Sequence, residues 1–78
     1  MTYFKIERNL TNESDFIDEI QKIDSTEPES INVEFLTYQR PLYVSKVAAI
    51  KLSNDIMYVF YDIHNNEICK ILKISCKG

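Results

Sequence analysis

The pattern of apolar and polar positions divides the chain into short strands and one helix. Residues 2–8 alternate, with Phe4 and Ile6 on one face, and this period of two predicts a strand. Residues 13–24 instead carry apolar side chains at helical spacing and are predicted to form an amphipathic helix. The apolar residues that define its buried stripe are Phe16, Ile17, Ile20 and Ile23.

Both ends of the predicted helix are marked by local signals. Asn12 is predicted to be the N-cap, with Asp15 three residues later in an arrangement close to a capping box. Glu13 lies at the positive end of the helix dipole, where a carboxylate is favourable. Pro28 disfavours the α conformation at Glu27, so the helix is expected to end before that residue.

Four further strands follow in the pattern. Residues 30–35 alternate and are predicted to form a half-buried strand, and residues 44–52, 56–63 and 67–76 are predicted to form a meander. For residues 36–45 three structures are compatible with the sequence: a turn, an edge strand or a short helix. Pro41 excludes only a central strand there.

These elements predict an α+β fold in a single domain, residues 1–78. Its order is β-α-β-(x)-β-β-β, with one antiparallel sheet of about five strands and one amphipathic helix packed on it. The strand over residues 56–61 is apolar on both faces and is therefore expected at the centre. Gly78 is the only glycine, so Asn and Asp are expected to adopt any positive φ angle at the turns 54–55 and 65–66.

Composition excludes several classes of function. The absence of an internal glycine excludes a P-loop and a dinucleotide fingerprint. One His and two Cys are too few for a usual structural zinc site, so no metal and no cofactor are expected. His64 is expected to be a solvated turn residue, and Cys69 and Cys76 are expected to be core or half-buried residues with free thiols. A chain of 78 residues rarely encloses a catalytic cleft, so we expect no enzyme.

The N-terminal sequence lacks the apolar core of a signal peptide, and no apolar run reaches the ~20 residues that span a bilayer. The expected location is the cytoplasm of a bacterial host, with no membrane partner.

Charge is distributed unevenly along the chain. Residues 1–34 carry nine acidic and three basic residues, whereas residues 35–78 carry three acidic and six basic ones. The acidic half lacks a basic footprint, which argues against direct nucleic-acid binding and permits binding to a basic partner. Such a surface either serves solubility or mimics a phosphate backbone. Its expected members are Asp15, Asp18 and Glu19 on the helix and Glu27, Glu29 and Glu34 after it.

An acidic helix followed by Glu29-Ser30-Ile31 at the start of a strand resembles the uracil-DNA glycosylase inhibitors of phages and mobile elements. The resemblance implies that the edge of this strand lies along the enzyme's DNA-binding groove and imitates DNA. Glu29 would then stand in for a phosphate, Ser30 would form a hydrogen bond at the groove, and Ile31 would anchor the strand to the core.

Members of that family follow the strand with an acidic helix that helps to form an apolar pocket for a side chain of the enzyme. In this chain the strand is followed by a segment that contains Arg40 and no acidic residue, so the pocket would be built differently. Its candidate residues are Leu36, Tyr38, Leu42 and Tyr43.

The sequence therefore predicts a non-enzymatic inhibitor that competes with DNA for the groove of uracil-DNA glycosylase. One alternative is a DNA mimic directed at another target, such as an anti-CRISPR or anti-restriction protein. Another is a toxin-immunity protein, with exposed tyrosines such as Tyr3, Tyr38 and Tyr43 as binding hot spots. A third is a scaffold that pairs through an exposed strand edge.

Overall fold

The computed structural model describes residues 2–23, 30–35 and 42–74, with the backbone alone for 30–35. The elements are β1 (Thr2–Leu10), α1 (Glu13–Ile23), β2 (Ser30–Phe35), β3 (Leu42–Lys51), β4 (Ile56–Tyr61) and β5 (Glu67–Ile74). The predicted α+β class, with one antiparallel sheet and one helix, is confirmed in this part of the chain. The candidate residues outside the described ranges are Glu27, Glu29, Leu36 and Tyr38, together with Arg40, Pro41 and Cys76.

The five strands lie in the order β1-β3-β4-β5-β2, and every neighbouring pair is antiparallel. The expected central position of the strand over residues 56–61 is confirmed, because β4 lies third. The meander β3-β4-β5 forms the middle of the sheet, and the two strands that flank the helix in sequence form its edges. The helix thus joins opposite edges of one sheet.

The two edge strands differ in regularity. β2 pairs with β5 in an unbroken register, from Ser30 opposite Ile74 to Phe35 opposite Cys69. The pairing of β1 with β3 shifts between Lys5 and Arg8, so that two residues of β1 oppose one residue of β3. Two residues opposite one is the pattern that defines a β-bulge. Glu7, one of the two β1 residues at this shift, has φ 52°.

The N-terminus of α1 is capped as the sequence predicts. The Asn12 side-chain Oδ1 accepts a hydrogen bond from the Asp15 N–H at 3.0 Å. The Asp15 carboxylate in turn accepts hydrogen bonds from the Thr11 hydroxyl at 2.6 Å and the Thr11 N–H at 2.8 Å. These bonds from Thr11 stabilise the ionised carboxylate and lower the pKa of Asp15.

The core lies between α1 and one face of the sheet. Phe16 and Ile20 of the helix are fully buried, and the Phe16 ring meets the Phe60 ring of β4 edge-on, with centroids 5.0 Å apart. This geometry matches the quadrupoles of the two rings. Cys69 lies in the same core, as predicted, and burial raises the pKa of its thiol to about 12. Such a thiol is unreactive near neutral pH.

The two hairpin turns are built differently. At the β3–β4 turn the backbone groups of Leu52 and Asp55 bond to each other in both directions. At the β4–β5 turn Asn65 has φ 64°, which confirms the prediction of a positive φ at an Asn. Within the described residues Glu7, in the β-bulge, is the other non-glycine residue with a positive φ, so the β3–β4 turn at Asn54 and Asp55 is made without one.

The β4–β5 turn is held by one carboxylate. Asp62 Oδ1 accepts hydrogen bonds from the N–H groups of His64 and Asn66, at 2.8 and 2.9 Å. The bond from Asn66 contributes most to lowering the pKa of Asp62, and the bond from His64 adds to it. His64 itself is exposed, as predicted for a turn residue.

Candidate protein-binding surface

The expected acidic row on the helix is interrupted at Glu19. Only 8% of this side chain is exposed, because it lies between the helix and β1. Its Oε1 accepts a hydrogen bond from the Arg8 guanidinium and lies 3.3 Å from Lys22 Nζ. The expectation that Glu19 faces a partner is therefore corrected: its charge is already neutralised within the fold. Such partners offset the cost of burying a carboxylate at the margin of the core.

The pair Arg8–Glu19 allows a direct stability test. Arg8→Ala removes the strongest partner of a nearly buried carboxylate while leaving Lys22 in place, and we expect a loss of about 2 kcal/mol in the free energy of unfolding. Urea unfolding followed by circular dichroism measures it. Lys22→Ala is the matched control, because the Lys22 side chain is 66% exposed and its loss should cost no more than about 0.5 kcal/mol. Equal losses of stability in the two variants would contradict the conclusion that Arg8 is the main partner of the Glu19 carboxylate.

The other helix acids have different roles. Asp15 accepts the bonds from Thr11 that fix the helix start, so its carboxylate is partly engaged. Asp18 is exposed, and so is Glu13, which was not among the expected contacts. In the described part of the chain no ion pair involves Glu13 or Asp18. Among the residues that the structure describes, these two are therefore the exposed acidic groups of α1 without an ion-pair partner.

The helical wheel contains a signal that separates these residues. Glu19 lies three residues after Phe16 and four before Ile23, which places it beside the buried stripe. Asp18 lies on the opposite face, at about 160° from Phe16. A count of acidic residues treats Asp18 and Glu19 alike. Their angular positions on the helix instead predict that Asp18 is exposed and that Glu19 is close to the core. The partner of Glu19 could not be found in this way, because Arg8 lies on another element.

β2 supplies the second part of the surface. It is the terminal strand of the sheet and, within the described ranges, pairs only with β5. Ser30 and Ile31 stand at the start of this edge, and Glu29 immediately precedes it. Position 34 is opposite Lys70, and Ile31 is opposite Lys73. The β2 edge thus follows the acidic residues Glu27 and Glu29 in the sequence. The neighbouring strand β5 carries the basic residues Lys70 and Lys73.

Only half of the proposed apolar pocket falls on described residues. Leu42 packs against the core, whereas Tyr43 is 41% exposed at the start of β3. Ile63, in the β4–β5 turn, is 66% exposed and was not predicted as a surface residue. Lys46 of β3 lies opposite Tyr61, the last residue of β4, so the start of β3 and the β4–β5 turn lie at the same end of the sheet. The exposed side chains of Tyr43 and Ile63 therefore both lie at this end.

Tyr3 is exposed, as the immunity-protein alternative expects, but it is not isolated. The Lys46 ammonium lies 5.0 Å from the centroid of the Tyr3 ring and 5.3 Å from that of Tyr61. These distances are within the range of cation–π attraction. The three side chains form one ordered group on the face of the sheet away from the helix.

The described residues contain no group of three or more His, Cys, Asp or Glu placed to hold a metal ion. The helix they include is too short and too polar to cross a membrane. In comparisons with known proteins, no family model, curated protein or solved structure matches the chain.

Proposed function

We propose that this protein is a non-enzymatic inhibitor that occupies the DNA-binding groove of a uracil-DNA glycosylase. The observation that carries the proposal is that β2, which starts with Ser30-Ile31 directly after Glu29, is the terminal strand of the sheet. A strand enclosed by neighbours on both sides could not enter a groove. An edge strand can present its backbone and the carboxylate before it.

The contact surface that supports this proposal is narrower than the sequence suggests. It consists of the start of β2 with the preceding acidic residues Glu27 and Glu29, and of the exposed helix carboxylates Glu13 and Asp18. Glu19 is left out because it is buried against Arg8. The mechanism is steric occlusion of the groove, accelerated by attraction between these carboxylates and the enzyme's basic groove. Because the target acts on DNA, the proposal places the protein in the bacterial cytoplasm.

One specific observation favours a second function, that of an immunity protein covering the active site of a basic toxin. Tyr43 and Ile63 are exposed at the same end of the sheet, and aromatic residues dominate many interface hot spots. A binder of this kind would use that end rather than the start of β2. An anti-CRISPR or anti-restriction role would use the same acidic surface as the glycosylase inhibitor.

The decisive experiment is uracil excision from a labelled single-stranded oligonucleotide by a bacterial uracil-DNA glycosylase, titrated with this protein. We expect activity to fall linearly and reach its minimum near one inhibitor per enzyme when both exceed the dissociation constant. Raising salt should slow the association, because charge steers the encounter.

Two controls complete the titration. A uracil-excising enzyme of an unrelated fold should remain active, which excludes an effect on the substrate. Direct mixing of the oligonucleotide with this protein should show no binding. Full activity at a hundredfold excess of the protein would reject the glycosylase as target.

A further inference from the structure

We infer that the chain self-associates by pairing its β2 edge with the β2 edge of a second copy, giving a continuous antiparallel sheet across two molecules. The inference rests on the regularity of β2 and on its sequence. It goes beyond the proposed function and holds whether or not the target is a glycosylase.

The first step is the difference between the two sheet edges. An edge strand exposes unpaired N–H and C=O groups that template pairing with another strand, and proteins protect such edges with bulges, lysines or prolines. β1 is protected: it carries the bulge at Glu7 and two basic residues, Lys5 and Arg8. β2 has an unbroken register and contains neither lysine nor proline.

The second step is that the β2 sequence is compatible with its own copy. In antiparallel pairing about a two-fold axis at Asn32, position 30 lies opposite position 34 of the second copy, and position 31 lies opposite position 33. Glu34, the only charged residue of β2, therefore meets Ser30 and never its own copy. The β-branched residues Ile31 and Val33 pair with each other, which suits a strand. A second copy of β2 therefore offers an antiparallel partner strand with no like charges opposite each other and with β-branched residues in register.

The third step concerns strength. Pairing over the five residues 30–34 of each copy buries far less surface than the roughly 1,200–2,000 Å² of a stable complex, so the dimer belongs to the weak, transient class. We expect its population to rise over a range on the order of 10 to 500 μM, with the monomer dominant below it. At the nanomolar concentrations of an inhibition assay the edge would be free.

Sedimentation velocity of the full chain over that concentration range tests the inference. The expected result is a reversible, concentration-dependent shift from monomer to dimer. Asn32→Lys would place two ammonium groups opposite each other at the two-fold axis and should weaken the dimer at least about tenfold. Asn9→Lys is the matched control: it adds the same charge to the exposed Asn9 of β1, at the other sheet edge, and should leave the dimer unchanged.

A second measurement uses the wild-type chain and therefore does not depend on the folding of a variant. Hydrogen exchange of the wild-type chain at low and high concentration should show added protection confined to residues 30–35. A monomer throughout the range would overturn the inference. So would a dimer that Asn9→Lys weakens and Asn32→Lys does not, or one whose added protection lies outside β2. Glycosylase inhibition is read at concentrations where the dimer is absent, so failure of either proposal is distinguishable from failure of the other.

Discussion

Replacing Glu29 with Lys is expected to weaken inhibition of uracil-DNA glycosylase by at least about 100-fold, because a carboxylate that faces a basic groove becomes a like charge facing it. Glu29 directly precedes β2 in the sequence, and β2 is an edge strand, so the substitution falls at the start of the proposed contact. The inhibition constant is measured by uracil excision at fixed enzyme concentration. The loss should appear mainly as slower association at low salt, where charge steering is strongest.

Glu7→Lys is the matched control for this prediction. It changes the net charge by the same amount but lies on β1, at the opposite edge of the sheet. Among the described residues, the ion pair that it breaks is the exposed one with Lys5. Such pairs contribute little to stability, so the control should fold and inhibit almost as the wild type does. If both variants lose inhibition equally, net charge rather than the β2 edge governs binding. If Glu29→Lys inhibits normally, the role assigned to Glu29 is wrong.

Truncating Phe16 to Ala is expected to cost about 3–5 kcal/mol in the free energy of unfolding, the usual loss when a buried Phe is removed. Phe16 is fully buried and supplies the edge-on ring contact with Phe60 that ties the helix to the central strand. A domain of this size has a total stability of roughly 4–12 kcal/mol. The variant should therefore be close to unfolding at 37 °C. Urea unfolding at 15 °C, followed by circular dichroism, measures the loss.

Phe16→Leu separates cavity formation from general disturbance of the helix. Leu keeps most of the apolar volume and has good helix propensity, so we expect a much smaller loss, of about 1 kcal/mol. A loss below about 1 kcal/mol for Phe16→Ala itself would mean that the helix contributes little to the core. A similar loss in both variants would point to the ring contact rather than to buried volume.

The elements were predictable from the sequence because their periodicities are local. The spacing of Phe16 and Ile20 determines which helix face is buried, and the apolar run in residues 56–61 indicates a strand covered on both sides. Capping by Asn12 is equally local, since its acceptor serves an N–H three residues away. In each case one segment contains all the information.

The candidate surface was less predictable because it depends on relations between segments. The burial of Glu19 follows from Arg8 lying across from the helix, and no spacing within the helix identifies that partner. The edge position of β2 depends on its pairing with β5, whose residues lie more than 30 positions further along the chain. Acidic composition therefore predicted a continuous row of carboxylates, whereas the fold leaves Glu13 and Asp18 exposed on the helix and uses Glu19 internally.

The strand order also has a consequence for how the chain folds. Within the central meander the register partners of β3 and β4 are close in sequence, as with Lys51 and Ile56, so these hairpins close small loops. The edge strands must find partners far away, with Thr2 opposite Ala49 and Ser30 opposite Ile74. Closing those larger loops costs more chain entropy, which favours the meander as the early structure and the two edges as late additions. The part of the molecule proposed to meet its partner is thus among the last to form.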